Sequence, residues 1–92
     1  METNGREYLA RMAELFDLPG DAAAGLSHLE LLGDRQLLLD GHEGLLAYGT
    51  ELIDVSVGGA VLRVAGSGLT LKGMTERELR IAGRIDSIEF LR

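Results

Sequence analysis

The chain has 92 residues, no cysteine, and a formal charge of −6 from 15 acidic and 9 basic side chains. One domain is the length-based expectation, with roughly 60–65% of the unfolded surface buried on folding. The 46% apolar content argues against a disordered chain, and the missing cysteines exclude disulfides and thiolate metal sites.

Residues 6–18 open with helical periodicity. Leu9, Met12, Ala13 and Phe16 recur at i, i+3, i+4 and i+7, which predicts an amphipathic N-terminal helix. Asn4 with Glu7 three residues on forms a variant capping box, and Pro19-Gly20 ends the pattern. The apolar stripe is expected to dock on the body of the protein or to face another protein.

From Leu26 the period changes from 3.6 to 2, defining a β domain over residues 26–91. The segments SHLELL, RQLLLD, EGLLAYG, ELIDVSV, AVLRVAG, LTLKG, ELRIAG and RIDSIEFL follow one another. Glycines 33, 41, 49, 58, 66, 73 and 83 punctuate them. Such spacing suits short strands joined by tight turns.

Alternation sets the faces. Ile53, Val55 and Val57 share one side, and Leu62 with Val64, Leu69 with Leu71, and Leu79 with Ile81 do the same. Near the C-terminus Ile85 is in one register and Ile88 with Phe90 in the other, which predicts a bulge or bend at Asp86-Ser87. Leu37–Leu39 and Leu45–Leu46 are apolar on both faces and are expected to be covered on both sides, by the helix or by a second subunit. The predicted fold is mainly β, a small antiparallel β-sandwich of about eight short strands with one N-terminal α-helix, residues 1–92 forming a single domain. A short β-solenoid is the alternative, since its coils also repeat short strands and glycine corners.

Gly66-Ser67-Gly68 invites comparison with a phosphate-binding loop. A dinucleotide fingerprint needs a third glycine where Leu71 stands, and a helix where the residues alternate as a strand. A P-loop needs Gly-Lys-Ser/Thr, whereas Gly73 is followed by Met74-Thr75. The expected role is a turn between strands ending at Val64 and starting at Leu69.

His28 and His42 are the only histidines, and a metal site would need both, with carboxylates such as Glu30, Asp40 or Glu43. Ser27 and His28 are sequence neighbours and so point to opposite faces of a strand; Ser56, Ser67 and Ser87 have no linked histidine. Glu76 and Glu78, interleaved with Arg77 and Arg80, read as a solvated face. No catalytic, cofactor-binding or metal-ligating residue is assigned, and the chain is expected not to be an enzyme. No basic stripe exists for nucleic acid. No apolar run approaches the ~20 residues of a membrane span, and the first residues lack the apolar stretch of a signal peptide.

Three separated pieces carry a family pattern. DLPGDAA at 17–23 has a Leu-Pro-x-Asp step. LELLGDRQLLLDGHEGLLAYGTELIDV at 29–55 pairs a Gly-Asp turn with a His-Glu-Gly turn. LRVAGSGLTLKGMTERELRIAGRIDSIEF at 62–90 runs as Val-x-Gly-x-x-Leu-x-Leu, then Glu-Leu-x-Ile-x-Gly-x-Ile-x-x-Ile. In their order and spacing these resemble the YabP/YqfC family of sporulation proteins, nearest to the YqfC branch. Ala22-Ala23-Ala24-Gly25 departs from it, standing where bulkier apolar residues are expected.

The resemblance implies a role in endospore development, in the mother cell, with no catalytic or ligand pattern to carry over. The expected function is a non-enzymatic, structural one in spore envelope or coat formation through protein–protein interaction. Expected partners are other sporulation proteins, a membrane-embedded one among them, and further copies of the chain. Localisation is then cytoplasmic, peripheral to the forespore outer membrane through such a partner, without direct membrane insertion. The alternative function is a ligand-binding β module for glycan or peptide in the spore envelope; a small hydrolase using His28 or His42 is a third.

Overall fold

The computed structural model describes residues 26–92, and the expected helix at 6–18 lies outside them. Six strands form one antiparallel sheet in the order β1-β2-β6-β5-β4-β3. They are β1 (His28–Leu32), β2 (Gln36–Asp40), β3 (Gly44–Tyr48), β4 (Leu52–Val57), β5 (Ala60–Met74) and β6 (Glu78–Leu91).

The count corrects the expected eight. Gly66-Ser67-Gly68 does not end a strand, nor does Gly83. Each lies within a long strand, so AVLRVAG and LTLKG merge into β5, and ELRIAG and RIDSIEFL merge into β6. β5 and β6 form one long hairpin with three register shifts, between Ala65 and Gly66, between Ser67 and Thr70, and between Leu71 and Gly73. Bulges add local bend and twist. The first shift leaves Asp86 unpaired, because Ala65 faces Ser87 while Gly66 faces Ile85. That is the bulge expected at Asp86-Ser87.

The bend divides the sheet into two halves. In one, β2 pairs with residues 78–82 of β6, and β1 with β2. In the other, β4 pairs with residues 60–65 of β5, and β3 with β4. Each outer hairpin also serves the bend. Gly83 and Ile85 donate their amides to the carbonyls of Arg35 and Asp34 in the β1–β2 turn, at 3.0 and 2.8 Å. Gly66 and Leu69 donate to Glu51 and Thr50 in the β3–β4 turn, at 3.0 and 2.8 Å. Backbone groups freed where the β5–β6 ladder slips are thus paired again. The two halves are related by a near-repeat of the same arrangement.

Glycine is required at the crossing. A Cβ on Gly66 would overlap the Arg84 carbonyl oxygen, and one on Gly83, at φ +132°, would meet the Gly68 carbonyl. Here the chains approach backbone to backbone, as only glycine allows.

The halves share one core. Leu37, Leu39, Leu79 and Ile81 from the first join Ile53, Val55, Leu62 and Val64 from the second, with Leu69 and Ile85 at the bend. The expected two-sheet sandwich is replaced by a single bent sheet. The solenoid alternative fails because every pairing is antiparallel. β3 is an edge strand among the described residues, with Leu45 against the core and Leu46 exposed; the helix expected to cover it lies outside them. Among the described residues, no helix is long and apolar enough to cross a membrane.

Candidate functional site

Three features outside the core hold chemistry: a groove on the outer face, a buried histidine, and a buried carboxylate. The groove lies across the first half of the sheet and has a volume of about 670 Å³. Leu37 and Leu39 of β2 point into the core, so the alternation sends Leu38 outward to the groove floor. Met74, at the end of β5, forms a second apolar wall. His28, Glu30, Asp40, Glu78 and Arg80 surround them. The register explains the gathering, because His28 faces Asp40, Glu30 faces Leu38, and Leu38 faces Arg80 across neighbouring strands.

His42 follows β2 and is 6% exposed. The Gly44 amide donates to its Nδ1 at 3.1 Å, and Nε2 donates to the Thr75 carbonyl at 2.8 Å. Both contacts are satisfied only by the neutral ring protonated on Nε2. The ring therefore ties the β2–β3 connection to the β5–β6 turn. Gly41 and His42 reinforce the tie by donating their amides to the Arg77 carbonyl, at 2.7 and 3.3 Å. Arg77 also approaches Asp40 at 3.6 Å.

Asp54 of β4 lies opposite Arg63 of β5, and Arg63 lies opposite Glu89 of β6. Nε and Nη2 of Arg63 bond the two Asp54 oxygens at 3.0 and 2.9 Å, the bidentate geometry that suits guanidinium and carboxylate. Hydrogen bonding from Arg63, with its charge, outweighs desolvation and holds the Asp54 carboxyl below its ordinary 3.8.

The residues weighed for metal or hydrolytic chemistry separate into different roles. His28, Glu30 and Asp40 line the groove. His42 has both ring nitrogens engaged by the backbone. Glu43 is exposed and donates its amide to the Ser56 carbonyl. Among the described residues no group of three or more His, Asp or Glu side chains is placed to hold a metal ion. Ser27 uses its hydroxyl on the Gly41 carbonyl at 3.0 Å. Glu78 lines the groove, while Glu76 is exposed in the β5–β6 turn. Gly66-Ser67-Gly68 forms the bend in β5, with its amides directed to the Thr50–Glu51 turn through Gly66 and the following Leu69.

Sequence reading missed the Asp54–Arg63 pair, although a signal was present. The Gly58-Gly59 loop, with φ of 51° and 83°, is a two-residue hairpin connection of the kind that needs positive φ at both positions. Counting outward from it sets Val57 against Ala60 and Asp54 against Arg63. The His42 contacts had no such signal, because Thr75 is 33 residues away.

In comparison with known families, a model described as the YabP family matches residues 24–92. No curated protein matches the chain.

Proposed function

The chain belongs to the YabP family, and from that premise we propose that it is a non-enzymatic sporulation protein acting through protein–protein contacts in endospore envelope or coat development. Family membership fits a sporulation-associated role. The carrying observation is the extent of the match, which spans the whole described sheet from β1 to the end of β6. Within the family, the order of the turn motifs favours the YqfC branch.

The contact surfaces suit such a role. β1 and β3 are the two ends of the strand order and carry exposed Leu31, Leu32, Leu46 and Tyr48. A free strand edge can accept a strand from a partner. The proposed partners are other sporulation proteins, one of them membrane-embedded, and further copies of this chain. The proposed location is the mother-cell cytoplasm, peripheral to the forespore outer membrane through that partner. A glycan-binding reading gains nothing from the groove, whose lining among the described residues contains neither Tyr48 nor His42.

The test is genetic and biochemical. Removing the gene from its spore-forming host should lower the yield of heat-resistant spores, and the intact gene should restore it. Crosslinking in sporulating cells should capture other sporulation proteins on the chain. Normal spores from the deleted strain would overturn the sporulation role, and a purified chain that turns over a substrate would overturn its non-enzymatic part.

A further inference from the structure

The two halves of the sheet repeat each other closely enough to be compared row by row. LRVAG at 62–66 and LRIAG at 79–83 hold equivalent places, because the Gly66 and Gly83 amides reach the Glu51 and Arg35 carbonyls of the two outer turns. Arg63 and Arg80 are therefore counterparts. Arg63 has Asp54 on one side and Glu89 on the other, and its bond to Asp54 closes the outer face there. Arg80 has Leu38 and Gly73 in those places. Among the described residues, nothing lies within 4 Å of a Cβ added to Gly73, so the face stays open and the groove results.

One row along, about 7 Å away, His28, Asp40 and Glu78 stand side by side on β1, β2 and β6. The equivalent row of the second half is Gly44, Ser56 and Val61, without charge. Asp40 and Glu78 are direct cross-strand partners of like charge, a destabilising arrangement that a cation between them relieves. Arg77 approaches Asp40 at 3.6 Å. Among the described residues, no ion pair involves Glu30, Glu78 or Arg80.

We propose that the groove docks a basic, apolar segment of another protein, with a lysine or arginine between Asp40 and Glu78 and an apolar side chain on Leu38 beside Arg80. Charge selects this occupant. The lining sets three carboxylates, Glu30, Asp40 and Glu78, against the one guanidinium of Arg80, so it is complementary to a cationic partner. A second copy of this chain carries a charge of −6 and is repelled. An uncharged apolar partner would cover Glu30 and Glu78 without pairing them, which is costly. The docking site rests on the reading that the chain acts through protein–protein contacts, and it adds the chemistry of the partner.

The test uses the purified full chain and a fluorescein-labelled peptide, Lys-Leu-Lys-Leu-Lys, followed by fluorescence anisotropy at low salt. Glu78→Gln should weaken binding about fivefold, the worth of one good exposed ion pair. Gly73→Leu, which fills the groove from an open position, should weaken it about tenfold or more through the apolar contact it displaces. Glu51→Gln removes the same charge from the β3–β4 turn and should change binding less than about twofold. Glu78→Gln should also keep or raise the urea midpoint, because it relieves the repulsion with Asp40. Equal losses from Glu78→Gln and Glu51→Gln would reduce the binding to overall charge and overturn the proposal. Equal affinity for Lys-Ser-Lys-Ser-Lys or for Glu-Leu-Glu-Leu-Glu would overturn it as well. Self-association that Gly73→Leu abolishes would give the groove to a second copy instead. None of these results bears on the sporulation role, whose test is made in the host.

Discussion

The carboxylate of Asp54 receives both arms of the Arg63 guanidinium, at 3.0 and 2.9 Å, on the face of the sheet opposite the core. The pair bridges β4 and β5 where they pair next to the Gly58-Gly59 turn. Asp54 is only 9% exposed, so an unpaired charge there would be poorly solvated.

Acid sensitivity follows with a definite sign. Arg63 lowers the Asp54 pKa in the folded state below the ordinary 3.8. A carboxyl lowered in this way adds stability that is fully present above the unfolded value and lost as pH falls through the folded one. The wild-type urea midpoint should therefore decline below pH 3.8. Asp54→Asn should lower the midpoint at neutral pH and remove part of that acid-dependent decline. Parallel midpoint-against-pH curves for the two proteins would contradict the assignment.

The bend makes a sharper prediction about glycine. Gly66→Ala drives a methyl group into the Arg84 carbonyl, where only backbone can yield. A loss of about 3 kcal/mol is expected, at the upper end of overpacking costs. Gly73→Ala is the control, since nothing lies within 4 Å of an added Cβ and its φ is not in the positive region. It should change stability by no more than about 0.5 kcal/mol. Urea denaturation of both variants tests the contrast.

These glycines also show where local sequence runs out. Ile53, Val55, Leu62, Val64, Leu79 and Ile81 were legible as core because a strand with one wet face alternates strictly. The Asp86 bulge was legible because the apolar phase slips there. A Gly-Ser-Gly triplet, however, supports either a reversal of the chain or a bend within one strand. The choice at Gly66–Gly68 is made by distant groups, the Thr50 and Glu51 carbonyls that receive the amides of Leu69 and Gly66. The groove was half legible. Leu38 could be read as an outward leucine, but its meeting with Met74 depends on β6 lying between β2 and β5.

His42 offers a test of the tie between loops. His42→Ala removes the acceptor for the Gly44 amide and the donor for the Thr75 carbonyl. Leaving such buried groups unpaired costs about 1–3 kcal/mol each before solvent relaxes into the gap. The variant should be less stable in urea, and hydrogen exchange should quicken at Gly44 while the Val64 amide, in the core, keeps its protection relative to global unfolding. Uniform loss of protection would mean that the ring supports the whole fold and not this connection.

The edges give the last prediction. Leu46 on β3 is 58% exposed and Leu31 on β1 is 45% exposed. Neither strand contains a lysine or a proline, two of the devices that keep free edges from pairing. A lysine at either site leaves the core residues untouched, so Leu31→Lys and Leu46→Lys should each alter monomer stability by about 0.5 kcal/mol or less. If the edges carry the contacts between copies, light scattering on concentrated protein should show a smaller mean mass for the variant whose edge is used. One responding edge points to a two-fold dimer through like strands. Two responding edges point to β1 of one copy meeting β3 of the next, an arrangement that continues as a ring or a filament. Equal masses for wild type and both variants, with self-association present, would move the interface away from the strand edges.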